Sequence, residues 1–89
     1  MKKVKRYRLP DNVTMQQIGE ESVLLNLLQG LYYRLDAVGT LMLAALLEGV
    51  SEEAVIERVT SQYDIDDQCV ADDLQRIVEE LRNQGLLDG

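Results

Sequence analysis

Apolar residues recur with two different periods along this chain, and the change falls at Asp36. Before it, Leu31-Tyr32-Tyr33-Arg34-Leu35 is aromatic and branched in character and has the period-two alternation of a half-buried strand. Upstream, Val13–Ile18 reads as a strand with Val13, Met15 and Ile18 toward a core, followed by a turn at Gly19-Glu20-Glu21-Ser22 and a strand over residues 23–28. A tight turn at Gln29-Gly30 joins that strand to the next. A hairpin connection of three to five residues needs a positive φ there, which glycine adopts without a Cβ clash. Residues 4–9 alternate basic and apolar, forming a short strand or an extended lead into the turn Pro10-Asp11-Asn12. A three-stranded meander complete by Leu35 is the economical reading.

After Asp36 the period is helical. Asp36 is placed to cap a helix from Ala37 to about Glu48, with Val38, Leu41, Met42, Ala45 and Leu46 on its buried face. Gly39 is a poor helix former, about 1 kcal/mol worse than alanine, so its position predicts close approach by another segment. Gly49 suits the left-handed C-terminal position. Ser51 caps a second helix that buries Val55, Ile56 and Val59 and ends near Tyr63. A connection with an acidic cap at Asp66 leads to a third helix over residues 67 to about 84. Its apolar residues Val70, Ala71, Leu74, Ile77, Val78 and Leu81 span an arc of roughly 120°. Val70, Leu74 and Leu81 face the core, while Ala71 and Val78 lie at one edge and border a groove. Gly85 ends the helix, and Leu86-Leu87 returns to the core. The expected fold is α+β and winged helix-turn-helix-like, a three-stranded antiparallel sheet followed by three helices, in one domain over residues 1–89.

Composition narrows the chemistry by exclusion. There is no histidine and only one cysteine, Cys69, so neither an internal disulfide, a Cys/His metal site nor a Cys–His or Ser–His catalytic pair is available. Ser22, Ser51 and Ser61 read as turn or capping residues. The net charge of −7 has the wrong sign for most nucleic-acid binders. Lys2, Lys3, Lys5, Arg6 and Arg8 concentrate basic charge at the start, either as a basic arm or as solvated residues of a terminal strand. No run reaches the roughly 18 apolar residues of a membrane span, and no signal-peptide core follows the basic start, which predicts a cytoplasmic protein.

What remains is recognition. Tyr32 and Tyr33 are adjacent and so point to opposite faces of their strand, one to the core and the other to solvent or a binding edge. If residues 31–35 form an edge strand, their unpaired backbone groups offer a template for a strand from a partner. Asp66, Asp67, Asp72, Asp73, Glu79 and Glu80 read as a solvated face, with Asp72–Arg76 and Asp73–Arg76 at helical pairing distance. Cys69 lies off the apolar arc. The residues support a small non-catalytic binding module with no cofactor and no metal; a winged-helix nucleic-acid-binding or transcription-regulating domain is the alternative.

From Val23 onward the order of residues resembles the PqqD-like family, the recognition domains of pathways that modify ribosomally made peptides. The resemblance is carried by a turn glycine (Gly30), an aromatic pair before Leu-Asp (Tyr32-Tyr33, then Leu35-Asp36), Gly39 at the helix start and a closing Gly85-Leu86. Residues 4–22 match it loosely. Within the family the chain is most similar to the stand-alone leader-binding protein of lasso-peptide biosynthesis; the partner in pyrroloquinoline quinone synthesis typically shows tryptophans, and this chain has none. The resemblance implies that the leader of a precursor peptide adds as a strand beside the third strand, lies in a groove against the third helix, and is presented to a separate leader peptidase and cyclase. It directs attention to Leu31, Tyr32, Tyr33, Arg34 and Leu35 on the strand and to Ala71, Leu74, Gln75 and Val78 on the helix. The opposite helix edge (Asp73, Arg76, Ile77) is the rival.

Overall fold

The computed structural model describes residues 6–89. Strands β1 (Val13–Ile18), β2 (Glu21–Asn26) and β3 (Leu31–Leu35) form an antiparallel sheet in the order β1-β2-β3, and helices α1 (Ala37–Glu48), α2 (Glu52–Gln62) and α3 (Asp67–Asn83) follow. The sheet register pairs Met15 with Leu24 and Leu24 with Tyr33, so this row points to the helices. The next row, Thr14, Leu25 and Tyr32, points away from them.

Local chemistry explains the boundaries. Asn26 is buried, and its Oδ1 accepts from the backbone N–H of Leu28 (3.0 Å) and Gln29 (3.2 Å) and from Asn12 Nδ2 (2.9 Å). One side chain thus organises the hairpin turn, which Gly30 completes at φ +69°. Strand β2 therefore ends at Asn26, two residues before the expected limit, and starts at Glu21, within the expected turn. Leu27 and Leu28 fall in the turn and are exposed, because the Asn26 bonds bend the chain there. Asp36 caps α1 with its carboxylate on Gly39 N (2.8 Å), Ser51 caps α2 on Ala54 N (3.2 Å) and Asp66 caps α3 on Gln68 N (3.2 Å). Gly49 closes α1 in the left-handed region at φ +91°.

The core is continuous through the fold: Leu24 and Leu35 from the sheet, Met42, Leu43 and Leu46 from α1, Val55 and Val59 from α2, Val70, Leu74, Ile77 and Leu81 from α3, and Leu86-Leu87 beyond it. The buried face of α1 is wider than its spacing implied. Gly39, Thr40 and Leu43 are buried, while Val38 and Leu41 are half-buried, since the helix packs on the sheet, α2 and α3 at once. Ile56 is half-buried, and Ile18 is exposed because it sits at the outer end of β1 on the solvent row.

Lys2, Lys3 and Lys5 of the basic start lie outside the described residues. Of the segment read as a strand over residues 4–9, Arg8 makes a single antiparallel bridge to Asp88, and Tyr7 is buried. Ser22 is not a turn residue. It lies in β2, and its hydroxyl meets that of Thr40 at 2.7 Å in the core, joining sheet to α1. Ser61 is not a cap either; it lies within the last turn of α2, its hydroxyl donating to the Arg58 carbonyl.

A buried polar atom left without a partner costs more than the pair contributes. Thr40→Val should therefore destabilise the fold by about 1–3 kcal/mol, and Ser22→Ala combined with Thr40→Val by less than the sum of the single changes. Urea unfolding of the three variants measures this.

Candidate peptide-binding groove

Strand β3 is an edge strand, since β2 covers only one side of it. Alternate N–H and C=O groups along its other side are consequently free of sheet partners. Leu31 and Tyr32 are exposed and Arg34 reaches Glu21 across the sheet at 3.6 Å, while Leu35 is buried in the core. Leu35 can thus offer a peptide only its backbone. Tyr32 is 68% exposed on the outer row, and Tyr33 turns inward and packs on the core, which assigns the two aromatic roles.

No Cα of β3 lies within 8 Å of one on α3, so only side chains bridge the space between the two elements. Which edge of α3 borders that gap follows from helix phase. At about 100° per residue, Asp73, Arg76, Ile77 and Glu80 share one edge, and Ala71, Gln75, Val78 and Arg82 share the other, with Val70, Leu74 and Leu81 between. Ile77 Cδ1 lies 3.5 Å from where a Cβ on Gly39 would stand, and Leu35 Cδ2 lies 3.2 Å from it. The missing side chain at Gly39 therefore lets Ile77 and Leu35 close together under the gap. From there the Tyr33 hydroxyl reaches Glu80 and donates to its Oε2. Arg76 Nη1 approaches Glu80 Oε1 at 3.3 Å and Arg76 Nη2 approaches Asp73 Oδ1 at 3.5 Å.

The rival edge thus faces β3. Ala71, Leu74, Gln75 and Val78 do not; they line an open cleft of about 400 Å³ with Tyr7, Glu52, Ile56, Glu79 and Arg82 on the far side of α3. Leu74 and Val78 are in addition buried in the core. Equally, Arg76 pairs with Asp73 and Glu80 and not with Asp72, which accepts from Gln68 Nε2 at 3.0 Å. Glu80 departs from the solvated-face expectation because its partner comes from a strand 47 residues away. The i, i+4 spacing of Arg76 and Glu80 was visible in the sequence, but nothing local pointed to Tyr33.

These contacts set the electrostatics. The hydrogen bond to Glu80, then burial, raises the Tyr33 phenol above its ordinary value near 10, and the bond from Tyr33, with Arg76 beside it, lowers the Glu80 carboxyl from its ordinary 4.5. Helix α3 carries Arg76 and Arg82 against five acids, and Arg76 is already engaged, an arrangement unsuited to backbone phosphates. No group of side chains able to hold a metal ion occurs among the described residues, Cys69 is exposed, and no helix among them is long and apolar enough to cross a membrane.

The bond's contribution to stability has a defined pH window. A lowered Glu80 value means that it is present above about pH 4.5 and lost as pH falls through the folded value; a raised Tyr33 value means that it is lost as pH rises beyond 10. The urea midpoints of the wild-type chain and Tyr33→Phe should therefore differ by a constant amount over roughly pH 5–9, and the difference should narrow as pH falls below the ordinary Glu80 value of 4.5.

Two solved structures share this architecture. The chain is similar to TbiB1 in complex with the TbiA(beta) leader peptide, at 35% identity and a TM-score of 0.81 over 92% of this chain and 95% of that one. It is also similar to a lasso peptide synthetase B1 complexed with the leader peptide, at 26% identity and a TM-score of 0.86 over 96% of this chain and all of the other. No curated protein sequence matches the chain. Residues 21–87 match the family model for coenzyme PQQ synthesis protein D, three-quarters of the length and every element from β2 to the end of α3, and the chain belongs to the PqqD family.

Proposed function

We propose that this protein binds the leader segment of a ribosomally synthesised precursor peptide of the lasso-peptide class. The leader adds as a fourth strand on the free edge of β3, facing α3. The observation that carries this reading is the open β3 edge beside a groove in a fold that, in two similar proteins, is solved with a leader peptide bound. Main-chain hydrogen bonds along Leu31–Leu35 supply affinity with little dependence on sequence, and the side chains flanking them supply selectivity. Leu31 and Tyr32 offer exposed apolar surface at the rim, Tyr33 and Ile77 a floor, and Asp73, Arg76 and Glu80 a polar wall.

The protein acts as a cytoplasmic adaptor that performs no chemistry itself. It holds the leader so that a separate leader peptidase, and then a cyclase, act on the remainder of the precursor. A disordered leader loses conformational entropy on binding, so affinity in the micromolar to nanomolar range, about −8 to −12 kcal/mol, requires the apolar floor as well as the strand pairing.

Calorimetric titration with the leader half of a precursor peptide encoded beside this gene tests the proposal. The expected result is about one peptide per chain, weakened at least about tenfold by Tyr33→Ala, which removes the floor. Arg76→Ala should weaken binding more than Gln75→Ala. The reverse order would move the peptide to the cleft beside Tyr7, and no binding to any neighbouring precursor would end the leader reading.

A further inference from the structure

The gap between β3 and α3 is not empty. It is crossed by one hydrogen bond, from the Tyr33 hydroxyl to Glu80, between elements whose backbones nowhere approach within 8 Å. A strand added to β3 lies about 4.8 Å from it, within the span that this bond crosses. The side chain opposite Tyr33 on such a strand stands about 5 Å away, Cβ to Cβ, and so meets both the phenol and the carboxylate. The bond therefore stands beside that side chain, and the phenol and the peptide side chain compete for one acceptor, Glu80.

Both oxygens of Glu80 are occupied, Oε2 by Tyr33 and Oε1 by Arg76. Arg76 is anchored a second time by Asp73 and stays in place if Tyr33 leaves. Release of the phenol thus exposes one acceptor oxygen on a carboxylate that Arg76 still pairs. An apolar side chain placed there would strand that acceptor, whereas a hydrogen-bond donor would restore it, and bonds to charged groups are among the stronger ones.

We propose that the Tyr33–Glu80 hydrogen bond is a gate across the groove, opened by a leader whose residue opposite Tyr33 carries a donor side chain, basic or hydroxyl, that takes over Glu80. The inference rests on the reading that the leader lies in this groove, and it assigns Glu80 a part in selecting the peptide. The ring of Tyr33 and its hydroxyl then have opposite effects: the ring is floor, and the hydroxyl competes with the ligand.

The test is calorimetric titration of the same leader into the wild-type chain, Tyr33→Phe and Glu80→Gln, with folding of each verified by thermal melting. Tyr33→Phe keeps the floor and removes the competitor, so it should bind about three- to thirtyfold tighter. Glu80→Gln frees the gate but offers a weaker, uncharged acceptor, and should bind more weakly than wild type. Replacing the leader's donor residue by alanine should reduce binding about tenfold in the wild type and much less in Glu80→Gln, the signature of a direct pair. If Tyr33→Phe binds no tighter, or both variants weaken binding alike, the bond is a structural prop and the gate is wrong. Binding by none of the three proteins, wild type included, overturns the leader reading itself and the gate with it.

Discussion

The direct passage from β3 into α1 is the constraint on which the remaining geometry depends. Leu35 ends the strand in the core, and the next residue, Asp36, already caps the helix through its bond to Gly39 N. No linker separates them, so the angle between sheet and helix is fixed within one turn. The Ser22–Thr40 hydroxyl pair secures that angle from the neighbouring strand, and the bare Cα of Gly39 admits Ile77 from α3. The position of α3, and hence the width of the gap beside β3, follows from this junction. The candidate groove is a by-product of how tightly a strand can be joined to a helix.

Most of the architecture was legible because it is written in short-range chemistry. Asp36, Ser51 and Asp66 announced helix starts through capping, Gly30 announced the hairpin turn, and Gly39 announced a close approach. The extent of β2 was not legible. Leu27 and Leu28 look like strand residues, and the chain bends before them only because Asn26 is buried and gathers three donors. The placement of Ile18 failed because it stands an odd number of residues from Val13 and Met15 and so falls on the opposite, solvent-facing row of β1.

The groove was half legible. The strand side follows from sheet order, which the meander predicts. The helix side does not, because both edges of α3 carry apolar residues at helical spacing, and periodicity fixes a face without naming the neighbour at either border. Contact with Gly39 and Tyr33 chooses Ile77, Arg76 and Glu80, whereas Tyr7 and α2 claim the edge with Ala71 and Gln75. Each of those choices is a long-range contact that no local pattern encodes.

An open strand edge is indiscriminate, since it pairs with any extended backbone, including that of an identical copy. Here the edge is bordered by Leu31 and Tyr32, with Leu25, Leu27 and Leu28 exposed nearby, surface of the kind that promotes clumping. The net charge of −7 supplies the counterweight. Like net charge opposes the close approach of two copies and does not oppose that of a neutral or basic chain. The excess of acids, unhelpful for nucleic acid, acts in the manner of colloidal protection for a surface that carries an open strand edge.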